Sequence, residues 1–184
     1  MNTFQKFCGH FKTITKHKYY VFLHCRKAGI AWQGIWHDMS KYSPAEFIPG
    51  VKYYQGYRSP NEGEREQFGY SLAWMHHKGR NKHHFEYWND LNPASRKYEP
   101  VKMPLKYLKE MFCDRVAASK IYGKENYTDQ AALNYFHRRK EHPELHPDTE
   151  KMLLKLLTML AEEGEENVFA YIRSGQMEKD YEKE

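Results

Sequence analysis

Apolar residues recur along this chain at three- and four-residue spacing over most of its length, and no stretch alternates convincingly. From residue 13 to 28, Ile14, His17, Val21, Cys25 and Ala28 share one helical stripe, and Gly29 is placed to end that helix. A shorter helix should carry Trp32, Ile35, Trp36 and Met39, with His37-Asp38 near its end and Ser43-Pro44 opening the next turn. Helical pattern returns at "QFGYSLAWMHH", breaks at Lys78-Gly79-Arg80 and restarts from Asn81 through "KHHFEYW". Met103-Pro104 opens the strongest helix of the middle region. Within it Tyr107, Met111, Asp114, Ala118 and Ile121 put a carboxylate inside a stripe that is otherwise core. "PDTEKMLLKLLTMLAEEG" reads as a helix that starts at Pro147 and stops at Gly164, followed by a short one around Val168, Phe169 and Ile172. Residues 48–66, rich in glycine and proline, read as a long loop or lid, and residues 177–184 as a charged tail. The expectation is an all-α fold, a single helical bundle over residues 1–176.

Composition narrows the class. A chain of 184 residues suits one domain with a substantial core. The formal charge of +5 is too mild to demand nucleic acid, and no recognition motif argues for it, but it suits a phosphorylated ligand. Cys8, Cys25 and Cys113 form no CxxC pair, so neither a disulfide framework nor a zinc ribbon is expected. No segment approaches the roughly 18 apolar residues of a membrane span. These points predict a soluble cytoplasmic protein without a membrane partner; they leave the oligomeric state open.

Histidine changes the picture. Of 11 histidines, His17 lies on an apolar helix face, His37 adjoins Asp38, and His76, His77, His83 and His84 fall within nine residues. Neutral imidazoles beside carboxylates are good ligands for first-row divalent metals, which need more donors than one short motif supplies. Each element also has a plain reading. His17 could be a hydrogen-bonded core histidine, with His24 competing for the same role. His37-Asp38 could close a helix, the histidine pairs could form a solvated turn, and Asp114 could pair with Arg115 or Lys120. Adjacent histidines on a helix point about 100° apart, so not all of the four should bind, and His76 is the first to set aside.

The order His17, His37-Asp38 with Lys41 following, further histidines and a late Asp114 resembles the HD-domain superfamily of metal-dependent phosphohydrolases. That superfamily shows a lone His, an HD doublet often written HDxxK, and a distal Asp. More closely, "HDMSKYSPAEF", "AWMHHKGRNKHHFEYW" and "MFCDRVAASKIY" look like a family of bacterial and phage proteins carried as a domain of unknown function, over roughly residues 13 to 175. The HD resemblance implies His17, His37, Asp38 and Asp114 as primary metal ligands, with His77, His83 and His84 for a second ion or the substrate phosphate. The cofactor would be one or two divalent ions among Mn, Fe, Co, Zn, Ni and Mg. The implied activity is hydrolysis of a nucleotide or another small phosphoester, with Lys41 and Arg80 at the phosphate and Glu46 orienting a histidine, taking a proton or merely starting a helix. Lys52, Arg58 and Tyr53, Tyr54 and Tyr57 could form a lid over a base. Two other classes fit the same residues: a di-iron oxygenase-type HD protein, and a pocket that sequesters a nucleotide signal without turning it over.

Overall fold

A computed structural model describes residues 1–138 and 142–183 of the chain. The order is α1 (Thr3–Lys27), α2 (Ala31–Trp36), α3 (Pro44–Lys52), α4 (Pro60–Phe68), α5 (Leu72–Lys78), a hairpin of β1 (Asn89–Leu91) and β2 (Tyr98–Pro100), then α6 (Leu105–Gly123), α7 (Ala131–Phe136), α8 (Pro147–Arg173) and α9 (Gln176–Glu182). The fold is all-α and forms one domain, with that hairpin the only sheet among the described residues. Its three-residue strands, with Asp90 opposite Glu99, are too short for alternation to register in the sequence. No described helix is long and apolar enough to cross a membrane.

Helix α6 organises the molecule because its two faces differ. Leu108, Phe112 and Val116, spaced by four, are fully buried against α1 and α8. Glu110 and Asp114, also spaced by four, lie about 200° around the helix from that stripe and face a polar cluster instead. Helix α8 closes the core with Leu153, Leu156, Leu157 and Leu160, all without solvent contact. It runs to Arg173, broken at Gly164 as expected, where φ +82° and ψ 174° describe a backbone essentially reserved for glycine. Helix α1 ends with a Schellman arrangement: the Ile30 N–H donates to Cys25 O and the Gly29 N–H to Arg26 O, with Gly29 at φ +78°.

Three expectations are corrected. Residues 48–66 are not a loop, because most of them belong to α3 and α4. Pro60 occupies the first position of α4, where the missing N–H is no loss, and Pro49 lies inside α3, so the two prolines that read as loop residues both belong to helices. Residues 177–184 are not simply a tail. Met177 and Tyr181, one turn apart on α9, are buried, and the Tyr181 hydroxyl donates to Met103 O at 2.6 Å. Finally, no α-helix restarts at Asn81, since residues 81–84 form turns that lead only into a three-residue 3₁₀ segment, Phe85–Tyr87. His83 and His84 therefore do not lie in the first turn of an α-helix.

Candidate metal centre

The HD doublet is presented by a turn rather than a helix. His37 (φ −51°, ψ 129°) and Asp38 (φ 54°, ψ 27°) have the dihedrals of the two central residues of a type II turn. Positive φ is uncommon for a residue with a side chain, and Asp tolerates it better than most. In a helix these neighbours would point about 100° apart; here both side chains reach one centre. Lys18 clamps the turn, its ammonium donating to the His37 carbonyl at 2.8 Å.

Around Asp38 the distances are short. His37 Nε2 lies 3.2 Å and His17 Nε2 3.9 Å from Asp38 Oδ2, while His77 Nε2 and His83 Nε2 lie 3.3 and 3.4 Å from Oδ1. Asp114 Oδ1 is 2.9 Å from His17 Nε2 and 3.6 Å from His37 Nε2. Two overlapping groups result, His17, His37, Asp38 and Asp114 on one side and Asp38, His77, His83 and His84 on the other, each compact enough to hold a metal ion. Asp38 belongs to both.

The hydrogen bonding supplies the test of fit. Glu110 Oε1 accepts from His37 Nδ1 at 2.9 Å and pairs with His83 Nδ1 at 3.1 Å. Glu46 places Oε2 2.7 Å from His77 Nδ1 and Oε1 2.6 Å from His76 Nδ1. A carboxylate on Nδ1 makes that nitrogen the donor and turns the Nε2 lone pair inward. On the inward side, His17 Nε2, His37 Nε2, His83 Nε2, His84 Nε2 and Asp38 Oδ1 are buried without a hydrogen-bond partner, while Asp38 Oδ2 faces the Lys41 ammonium at 2.6 Å. Each such atom costs about 1–3 kcal/mol when left unsatisfied. Lone pairs facing lone pairs at these separations repel unless a proton or cation sits among them, so the donor set fits a divalent ion.

Charge in the cluster is arranged by burial and proximity. Burial pushes the Asp38 carboxyl up, but the charges of His37, Lys41 and His77 outweigh it and hold it well below the usual range. Asp114 is likewise held low, by His17 and His37 against its burial, and Glu110 falls to about 2 by bonding to His37 and His83. Burial would lower His37, yet Asp38, Asp114 and Glu110 around it raise it well above the usual imidazole value. His17 is lowered by burial and by nearby Lys41, against the pull of Asp114.

Not every expected residue gathers here. Lys41 does, its ammonium 2.6 Å from Asp38 Oδ2. Arg80 is not gathered with them: its side chain is exposed and its guanidinium donates to His76 O at 3.5 Å. The supposed lid is tied down, with Tyr53 donating to Gln67, Arg58 pairing with Glu66, and Tyr54 bonded to Thr13 on α1. His24 lies outside both groups, so His17 is the first histidine of the cluster. Glu110, treated with caution in the sequence, is a central support. Its signal was the four-residue spacing to Asp114. Ser40 and Asn81 were missed; Asn81 Nδ2 donates to Ser40 Oγ at 2.8 Å and stands 3.1 Å from His77 Nδ1. Nothing in their residue types announced this.

Among known proteins, no curated protein and no solved structure matches the chain. A family model does, over residues 6–159, a span that holds every residue of the cluster. On that match the chain belongs to the family of unknown function DUF5662.

Proposed function

We propose that the protein is a metal-dependent phosphohydrolase of the HD type, acting on a nucleotide or another small phosphoester. The observation that supports it most is the set of buried, unpartnered Nε2 and carboxylate atoms converging on Asp38, with their outer nitrogens anchored by Glu46 and Glu110. In this reading His17, His37, Asp38 and Asp114 hold one divalent ion and His77, His83 and His84 share Asp38 with a second. Bound metal supplies Lewis acidity toward a phosphoryl oxygen and a water acidic enough to attack near neutral pH. The protein's own contribution is positional. Glu110 and Glu46 fix the imidazoles, and the buried walls exclude bulk water. Lys41, already beside Asp38, offsets negative charge that builds on the phosphoryl group as the water oxygen bonds to phosphorus and the ester oxygen leaves.

A second reading has its own support: five of the seven ligand candidates, His17, His37, His77, His83 and His84, are histidines, and such a nitrogen-rich set also suits iron and oxygen chemistry. Both readings are tested together by metal analysis of untagged protein, then a phosphatase and phosphodiesterase screen with each metal restored. Hydrolysis that chelator abolishes and metal restores is the expected result. A coloured iron protein that consumes oxygen and cleaves no phosphoester would replace this reading with the second. A metal-replete protein that binds nucleotides unchanged would make it a sequestering protein.

A further inference from the structure

The amino-terminal third of the chain has an unusual surface. Residues 1–61 contain nine Lys and Arg and only two acids, Asp38 and Glu46, both buried in the metal cluster. Helices α1 and α2 contain no acid at all. The first exposed acid of the chain is Glu62. Among the described residues, Lys6, Lys12, Lys16 and Lys52 have no carboxylate within ion-pair distance, in contrast to Lys27, Lys41 and Arg58.

Large apolar side chains occupy the same face. Phe4 is 73% exposed, Phe11 47%, Trp32 70%, Trp36 58% and Met39 44%. On α1, Phe11 meets Tyr42 at 6.1 Å and Tyr42 bonds Thr15 one turn further along, and on α2, which packs along α1, Trp32 and Trp36 contact each other edge to face at 5.9 Å. Lys12 and Lys16 are exposed on α1. Beyond residue 141 the described surface is the reverse, with ten acids against five Lys and Arg and no exposed large hydrophobic residue.

We propose that the outer face of α1 and α2 docks on an anionic lipid surface. One partner must accept bulky aromatic and aliphatic groups and compensate a field of unpaired lysines at once. The boundary of an anionic bilayer does both: Trp and Phe seat at the headgroup level and the ammonium groups meet lipid phosphates. A single-stranded nucleic acid would use the lysines and could stack on the tryptophans, but Met39 and Ile35 offer no ring to a base. The acidic α8–α9 surface of a second copy would meet the charge and leave the aromatic run uncovered. A hydropathy window detects segments that span a membrane, so a face assembled from two helices and a turn escapes it; the expectation of no membrane partner rested on that window.

The test uses the full chain with large unilamellar vesicles. Cosedimentation with phosphatidylglycerol–phosphatidylcholine vesicles, absent with pure phosphatidylcholine and weakened by salt, is the expected result, accompanied by a blue shift of tryptophan emission. Trp32→Ala with Trp36→Ala should reduce the bound fraction at least tenfold and remove the shift, leaving the signal of Trp74 and Trp88 unchanged by lipid. Lys12→Glu with Lys16→Glu should reduce binding comparably. Both pairs are exposed, so unchanged circular dichroism is expected. Failure to sediment with either vesicle, or binding indifferent to both double variants, overturns the proposal. So does an oligonucleotide that binds this face more tightly than anionic vesicles and displaces them.

Discussion

His17 and His24 stand seven residues apart on one stripe of α1, both almost fully buried, and they have different fates. His17 places its Nε2 2.9 Å from Asp114 and 3.9 Å from Asp38. His24 stacks flat on Phe169 at 5.7 Å, with its Nε2 3.3 Å from Lys120 Nζ and 3.8 Å from Glu165. Its Nδ1 is also unpartnered, but no cluster of similar atoms surrounds it. Helix α1 offers the same residue at both levels. What differs is what lies opposite: carboxylates from α6 and the His37-Asp38 turn at one, Phe169 and Glu165 of α8 with Lys120 of α6 at the other. The first level gathers several unpartnered atoms around Asp38, and the second leaves one ring nitrogen without a partner.

The comparison breaks most visibly at Asp38. Asp38→Ala should remove metal from both groups at once, since both share that residue, while the helical fold persists because no apolar contact is lost. Leu156→Ala, fully buried in the α8 core, should do the opposite, lowering stability by about 2–5 kcal/mol while the folded fraction keeps its metal. Metal stoichiometry beside thermal melts separates the two. Full occupancy in the Asp38 variant would sink the ligand assignment.

A smaller effect is expected one layer out. Glu110→Gln keeps the shape of the side chain and loses the charge that anchors His37 and His83, so metal affinity should fall about 10–100-fold without loss of fold. Competition with a chelator of known affinity measures it. An unchanged affinity would reduce Glu110 to packing.

The smallest effect sharpens the other level. Burial, with Lys120 nearby, lowers His24 to about 4, so between its ordinary value near 6.5 and about 4 the unfolded chain takes up a proton that the folded chain refuses. The stability tied to this group is fully present above pH 6.5 and is lost as pH falls toward 4. His24→Phe preserves the stack on Phe169 and cannot be protonated. From pH 7 to 5 the variant should therefore lose on the order of 1–2 kcal/mol less stability than the parent. His10, lowered to about 4 by burial and Lys41, titrates in the same window and remains in both proteins, so only the difference between their melting profiles reports on His24. Identical profiles would mean that His24 is hydrated in solution.

Much of this molecule was legible in one dimension. The three- and four-residue periodicity that marked α1, α6 and α8 is imposed locally, because a helix must turn one face to the core whatever that core contains. The candidate ligands stood out for a related reason: His17 and Asp114 are polar residues at positions where periodicity demands apolar ones, and burying them requires partners. Glu110 was recoverable from its spacing to Asp114. Pro49 and Pro60 misled because the same residue breaks some helices and starts or sits within others, and only its neighbours in space decide which.

The sequence by itself determined the helical class, the face that α1 buries and the short list of residues able to bind a metal, because propensity and periodicity act within a few turns of chain. On α6 the fully buried stripe is Leu108, Phe112 and Val116 rather than the expected one through Tyr107, Asp114 and Ile121. Only the tertiary structure decided which of the candidate ligands meet. His17 rather than His24, His83 beside Asp38 with Arg80 exposed, and Glu46 behind His77 all depend on how α1, α5 and α6 cross and on a type II turn at His37-Asp38. Contacts between residues 20 to 100 positions apart are set by the packing of whole helices, and no local pattern encodes that distance.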